Sequence, residues 1–169
     1  MIMQAVLKYF RIAAIPLALL VAFGLNRLLV KWDKTEEAKA VDESRYAKMV
    51  AGDDPLLAFF KAERPDHEVL LACSEDVTDD GHDDLIVICR HDGLTRSCAV
   101  LWGEDGCAIT EEIPAPIENQ RIRFFNMDHE GEMEFLITGE KRGEVGYAIY
   151  RIIEGEMVDL FGDGMEACC

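Results

Sequence analysis

The residues with the clearest chemical potential form an acidic loop that begins at residue 76. Carboxylates stand at loop positions 1, 5 and 9 (Asp76, Asp80 and Asp84), a hydroxyl at position 3 (Thr78) and a glycine at position 6 (Gly81). Hard cations such as Ca²⁺ take several oxygen ligands on a tight turn, and glycine permits that turn. The spacing therefore predicts a calcium-binding loop.

The residues beyond the loop exclude an EF-hand. That motif needs a glutamate at position 12 and a helix after it. Position 12 is Val87, inside an apolar run over residues 85–88 that reads as a buried strand. The loop is therefore expected to connect two strands. The alternative is an Asp/Gly-rich turn that hydrogen-bonds to itself and binds nothing.

The same pattern returns fifty residues later and forms a weaker second loop. Its ligand positions are occupied by Asn126, Asp128, Glu130 and Glu134. The longer side chain of Glu130 fits a tight loop poorly, and Asn126 carries no charge, so cation binding is less expected here. A repeat of this length with about four strands has the size of one propeller blade or one four-stranded sheet.

The elements that must position these loops are mostly strands. Apolar alternation and turn residues predict eight strands, over residues 69–74, 84–89, 97–102, 107–113, 121–126, 134–139, 145–153 and 157–161. Helices are predicted over residues 35–51 and 55–63. We expect a mainly β fold of two blade-like, propeller-type four-stranded units with an N-terminal transmembrane helix and short helices. The predicted segments are an anchor (1–32), a helical spacer (33–66), the two-repeat β domain (67–161) and a flexible tail (162–169).

The N-terminal segment reads as a membrane anchor. Residues 12–26 are uncharged and apolar, and apolar residues continue on both sides if Arg11 and Arg27 reach the lipid headgroups. The alternative is a cleaved signal peptide with a small-residue site at 22–24. Either reading places the β domain outside the cytoplasm of a bacterial cell. The anchor reading predicts a single-pass cell-membrane protein in contact with lipid.

The charge distribution argues against nucleic-acid binding. The formal net charge is -16, and all 33 acidic residues lie beyond residue 32. Nucleic-acid binding needs basic patches, which this part of the chain does not provide. An acidic surface suits cation binding or simple solubility.

Four cysteines lie in predicted strands: Cys73, Cys89, Cys98 and Cys107. Such residues usually act as small apolar core residues. A disulfide between Cys89 and Cys98 is expected if the hairpin loop is Gly93-Leu94, whereas a turn at Asp92-Gly93 breaks that pairing.

The chain ends in an adjacent pair, Cys168-Cys169. Their Cα atoms are about 3.8 Å apart, below the usual disulfide range of about 4.4–6.8 Å. An internal disulfide would be strained, so the two thiolates suit chelation of a soft metal or exchange with another thiol.

Two family resemblances follow from these motifs. The first loop resembles the FG-GAP or VCBS repeat of integrin-like propellers, which carries Asp-x-Asn/Asp-x-Asp-Gly-x-x-Asp-Leu; this resemblance adds the carbonyl of His82 as a ligand. The anchor, the chain length and Cys168-Cys169 resemble the Cys-Cys-COOH (seleno)proteins called SaoC. That resemblance implies capture of an organometal of the organomercury type by Cys168 and Cys169. Because both residues are cysteine, the selenol chemistry is absent.

Three hypotheses of function follow. The first is a membrane-anchored extracytoplasmic protein whose C-terminal thiols bind a soft metal or a mercury-type organometal and pass it to a transporter or metal-handling enzyme. The second is a calcium-binding β interaction module. The third is a thiol–disulfide exchange protein, although no Cys-x-x-Cys occurs. The sequence favours a binding protein over an enzyme and indicates no organic cofactor, and its four histidines show no metal-ligand spacing.

Overall fold

The computed structural model describes residues 45–103, 106–129 and 131–169, apart from the side chain of Cys168. The predicted anchor at 1–32 and residues 35–44 of the first predicted helix lie outside the described residues. The described part is mainly β, with two antiparallel sheets and two short helices. Within it, no helix is long and apolar enough to cross a membrane.

The first sheet contains β1 (Glu68–Glu75), β2 (Asp84–His91), β3 (Leu94–Gly103), β4 (Gly106–Ile109) and β5 (Ile113–Pro114). The strands lie in the order β1-β2-β3-β4, and β5 also pairs with β3. The strand predicted over residues 107–113 is thus interrupted. At the break the hydroxyl of Thr110 accepts a hydrogen bond from the Ala99 amide (3.0 Å), a role that a strand carbonyl would otherwise fill.

The second sheet contains β6 (Glu118–Phe125), β7 (Glu134–Lys141), β8 (Glu144–Ile153) and β9 (Glu156–Asp163), in that order. Strands β6, β7 and β8 begin and end 50 residues after β1, β2 and β3. The register repeats as well, since Ile86 faces Ala99 in the first sheet and Leu136 faces Ile149 in the second. The predicted fifty-residue repeat is confirmed, while neither sheet closes on itself within the described residues.

The first sheet is covered on both faces because alternate residues of a strand point to opposite sides. In β2, Ile86 and Ile88 join a core that also contains residues of the second sheet. Leu85, Val87 and Cys89 join a separate apolar cluster with the first helix. In the second sheet, β8 alternates between buried and more exposed positions, so one of its faces meets solvent.

Helix α1 (Pro55–Glu63) covers the outer face of the first sheet, as the sequence predicts. The Asp54 carboxylate accepts the Leu57 amide hydrogen bond (2.9 Å) and caps the helix, and Pro55 occupies its first turn. The side chains of Leu56, Leu57 and Phe60 are buried in the outer cluster. The helix therefore packs in the same cluster as Cys89 and Cys98.

Residues 45–51 are not helical, so the helix predicted over residues 35–51 is wrong for its described end. The Ala47 amide donates to the Ile122 carbonyl in β6 (2.7 Å), and the Val50 amide donates to the Ala72 carbonyl in β1 (2.9 Å). These two amides therefore donate hydrogen bonds to strands of the two sheets and not to a helical turn. The segment links the first strand of one repeat to the first strand of the other.

Candidate functional site

The first acidic loop closes on itself through its leading carboxylate. Asp76 accepts hydrogen bonds from the amides of Asp80 (3.2 Å) and Gly81 (2.9 Å), one on each oxygen. Asp79 and Gly81 have positive φ angles of 57° and 86°, so the chain turns sharply beneath this carboxylate. Asp80 in turn accepts the His82 amide (2.8 Å). This is the self-bonded geometry of an Asx-type turn.

Asp84 lies at the base of the loop and is fully buried. Its two oxygens accept hydrogen bonds from the Thr78 hydroxyl (2.9 Å) and the Trp102 amide (3.1 Å). Burial raises the pKa of this carboxyl above its usual value, and the two hydrogen bonds act in the opposite direction. Asp84 therefore fastens the loop to β3, while Asp76 and Asp80 stay nearer the surface.

The second loop holds a cationic side chain of the protein itself. Arg151 on β8 contacts the carboxylate of Asp128 (2.6 Å) and also that of Glu134, which is buried. Glu134 further accepts the Met127 amide (2.8 Å). The residue aligned with Arg151 in the first repeat is Leu101.

The other two predicted ligands of the second loop are Asn126 and Glu130. The Asn126 side-chain oxygen is buried with no hydrogen-bond partner. Glu130 lies outside the described residues. The sequence prediction considered the loops alone and missed Arg151, although the fifty-residue alignment would have shown a basic residue where the first copy has leucine.

The C-terminal segment is more ordered than the flexible tail predicted over residues 162–169. Strand β9 reaches Asp163, and helix α2 (Met165–Cys168) packs on β7 and β8. Gly164 takes a left-handed conformation (φ 69°) that turns the chain into this helix. The Cys169 amide donates to the Met165 carbonyl (3.1 Å), and Lys141 donates to the Cys169 carbonyl oxygen (3.0 Å).

Cys169 lines a cavity of about 540 Å³ whose wall includes residues of both sheets. Apolar surface comes from Leu94, Pro114 and Met165, and the basic side chains of Arg96 and Lys141 line the same cavity. Cys169 is half-buried. The side chain of its neighbour Cys168 lies outside the described part. Of the predicted pair, only the position of Cys169 is therefore described.

The strand cysteines Cys73, Cys89, Cys98 and Cys107 are free thiols. The disulfide predicted between Cys89 and Cys98 required a turn at Gly93-Leu94. The turn lies one residue earlier, so Cys89 faces Arg96, and Cys98 lies diagonal to Cys89 on the same face of the hairpin. A hydrogen bond between the two thiols lowers the pKa of Cys89 and raises the pKa of Cys98.

The sequence prediction missed a group of side chains around Cys89. His67, Cys89 and Glu112 each offer a metal-ligating atom, and these atoms lie within 4.8 Å of one another. In the described ranges, this is the one group of three or more His, Cys, Asp or Glu side chains with that spacing. The carboxylates of the first acidic loop do not form such a group. Separations of 22 and 23 residues along the chain give no local motif, so only the strand register could have indicated this group.

Comparison with known proteins finds no matching family model, no matching curated protein and no matching solved structure. The chemistry of the site therefore rests on the residues and geometry described above.

Proposed function

We propose that the protein binds a soft metal ion or an organometal of the mercury type through its C-terminal vicinal thiols, Cys168 and Cys169. The observation that carries this proposal is the position of Cys169 in the wall of the 540 Å³ cavity. Thiolates are the protein ligands that soft metals prefer. Two adjacent cysteines supply two such ligands from one point of the chain.

The composition of the cavity supports an organometal as cargo. Leu94, Pro114 and Met165 provide apolar surface for an organic substituent beside Cys169. The same wall carries both signs of charge, with Arg96 and Lys141 beside the acidic Asp159 and Glu166. The bond between Lys141 and the Cys169 carbonyl oxygen holds the end of the chain at the cavity.

The proposed setting is the cell membrane. The apolar segment at residues 12–26 would anchor the protein in lipid as a single-pass protein, with the β domain outside the cytoplasm. A captured metal would then be passed to a membrane transporter or a metal-handling enzyme. Exchange between thiolates suits such a transfer, because a ligand can be replaced without release of the free metal.

The test is native mass spectrometry of the reduced full-length chain with one equivalent of methylmercury. The expected result is one adduct per chain in the wild type and in Cys107→Ala, and loss of the adduct in Cys168→Ser/Cys169→Ser. The control is matched because Cys107 is a partly exposed strand thiol outside the cavity lining. An adduct that survives in the tail double variant would refute the proposal.

A second candidate function is calcium binding at residues 76–84, which one comparison between the repeats favours. In the second loop the cationic Arg151 contacts the carboxylates of Asp128 and Glu134. In the first repeat the aligned residue is Leu101, so no arginine stands at that position beside Asp84. A bound cation would supply the missing positive charge. The proposed resemblance of each repeat to a propeller blade of the FG-GAP type also supports calcium binding as a candidate function.

Calcium binding predicts a higher melting temperature in excess Ca²⁺ than in chelator. At a calcium concentration 100 times the dissociation constant, the stabilisation is about 2.7 kcal/mol. Asp80→Ala should abolish the difference, whereas Asp83→Ala, a change of the exposed neighbour that stands at no ligand position, should retain it. Equal melting temperatures with and without Ca²⁺ in the wild type would leave the loop as a self-bonded turn.

A further inference from the structure

The group around Cys89 lies where β1 begins and β2 ends. His67 directly precedes β1, and the pairing of Glu68 with Arg90 places it beside His91. The two imidazole rings stack with centroids 4.2 Å apart and planes 5° apart. The edge-to-face contact with Phe60 (6.1 Å) fixes the same ring from the helix side. The His67 imidazole is therefore held in one orientation.

The His67 ring has bonding capacity that the protein leaves unused. Its side chain is 9% exposed, its Nε2 lies 3.0 Å from Glu112 Oε1, and its Nδ1 is buried with no hydrogen-bond partner. A buried polar atom without a partner costs free energy, and native structures contain few of them. An ion shared by His67 and Glu112 would bind Nε2 in place of the hydrogen bond between the two side chains, and Nδ1 would keep no partner.

A fourth possible donor, the thiol of Cys98, is hydrogen-bonded to Cys89. Cys98 on β3 is fully buried and lies diagonal to Cys89 on the same face of the hairpin. The interruption between β4 and β5 brings Glu112 to this group, because residues 110–112 leave the sheet there. Four separate parts of the chain thus place one imidazole, two sulfur atoms and one carboxylate together.

We infer that His67, Cys89, Cys98 and Glu112 form a zinc site that ties these four parts of the chain together. Nitrogen, sulfur and carboxylate oxygen are the ligands of Zn²⁺, which in structural sites is tetrahedral. Ligand atoms around such an ion lie about 3.3–3.8 Å apart. The ligand atoms of His67, Cys89 and Glu112 lie within 4.8 Å of one another and require only a modest contraction around the ion. The thiol of Cys98, which bonds to Cys89, must move further to join them.

The surroundings fit a structural ion. Cys89 and Cys98 belong to the apolar cluster that α1 covers, so the ion would be shielded from water on that side. Glu112 is also 3.9 Å from the guanidinium of Arg64, whose side chain is 41% exposed and can turn to solvent. Four protein ligands leave no open coordination position, which is typical of structural and not catalytic zinc.

The test is a Co²⁺ titration of the metal-free, reduced full-length chain in the Cys168→Ser/Cys169→Ser background. This background removes the proposed soft-metal pair, so the two sites are read separately. One equivalent of Co²⁺ should give the cobalt–thiolate charge-transfer absorption and the intense d–d bands of a tetrahedral complex. Zn²⁺ should then displace the cobalt with the same stoichiometry.

Variants distinguish ligands from neighbours. Cys89→Ser and Cys98→Ser should each lower the thiolate absorption, and the two together should abolish it. Glu112→Gln should weaken Zn²⁺ binding by more than the about 10- to 100-fold that loss of an outer partner costs. Glu112→Gln keeps the side-chain shape at a partly exposed position, so it should fold. Cys73→Ala, which changes another buried thiol, should leave both signals unchanged. An absent cobalt spectrum, or a thiolate absorption that Cys89→Ser leaves unchanged, would overturn the inference.

Discussion

Cys73 shows how the environment of a single residue controls its chemistry. It lies on β1 in the core shared by the two sheets and is fully buried. Burial raises the pKa of its thiol from the ordinary value of 9.0 to about 11, because the thiolate would lose its hydration there. Cys73 is thus a packing residue, whereas the hydrogen bond with Cys98 lowers the pKa of Cys89.

This shift predicts a loss of stability at alkaline pH. Below pH 9 the thiol is protonated in both folded and unfolded chains, so its contribution is fully present. As pH rises from 9 to about 11, the unfolded chain ionises first, and the free energy of unfolding falls by about 2 kcal/mol. Urea unfolding at pH 8.0 and about pH 11 measures the change. If Cys73→Ala lost the same amount over this range, the decline would belong to other groups.

At the scale of elements, the two repeats fasten their loops to the neighbouring strand by different means. In the first, Asp84 accepts a backbone amide of β3 from Trp102. In the second, Glu134 pairs with the side chain of Arg151 on β8. The second loop therefore depends on one partly buried charge pair, and the first on hydrogen bonds.

Arg151→Leu, which copies the residue of the first repeat, should destabilise the second sheet. It leaves the carboxylate of Glu134 buried without its cationic partner, which costs about 3–5 kcal/mol. Chemical denaturation measures this loss. Adding Glu134→Gln to the variant removes the unpaired charge and should restore much of the stability. Equal stability of the single variant and the wild type would mean that the pair contributes nothing.

At the scale of the whole molecule, local sequence patterns predicted the individual strands and the helix that begins at Pro55. The strands of both repeats followed from alternation and turn residues, and the helix starting at Pro55 followed from its cap and its apolar face. The sequence could also have predicted the first hairpin turn at Asp92-Gly93, because the aligned pair Arg142-Gly143 forms the turn of the second hairpin.

What the sequence did not predict depends on contacts between distant parts of the chain. Residues 45–51 have favourable helix features, but their amides bond to β1 and β6. Likewise, His67 meets Glu112 across 45 residues, and only the break at Thr110 makes that contact available. No periodicity of a single segment contains this information.

The constant offset between the repeats also has an evolutionary consequence. If the two units descend from one duplicated segment, aligned positions have since diverged: Thr78 aligns with Asp128, and Leu101 aligns with Arg151. The spacing of β1 to β3 is nevertheless equal to that of β6 to β8. A one-residue deletion within a strand would turn every later side chain of that strand to the opposite face. Under such a duplication the lengths of the segments were kept while the identities of their residues changed.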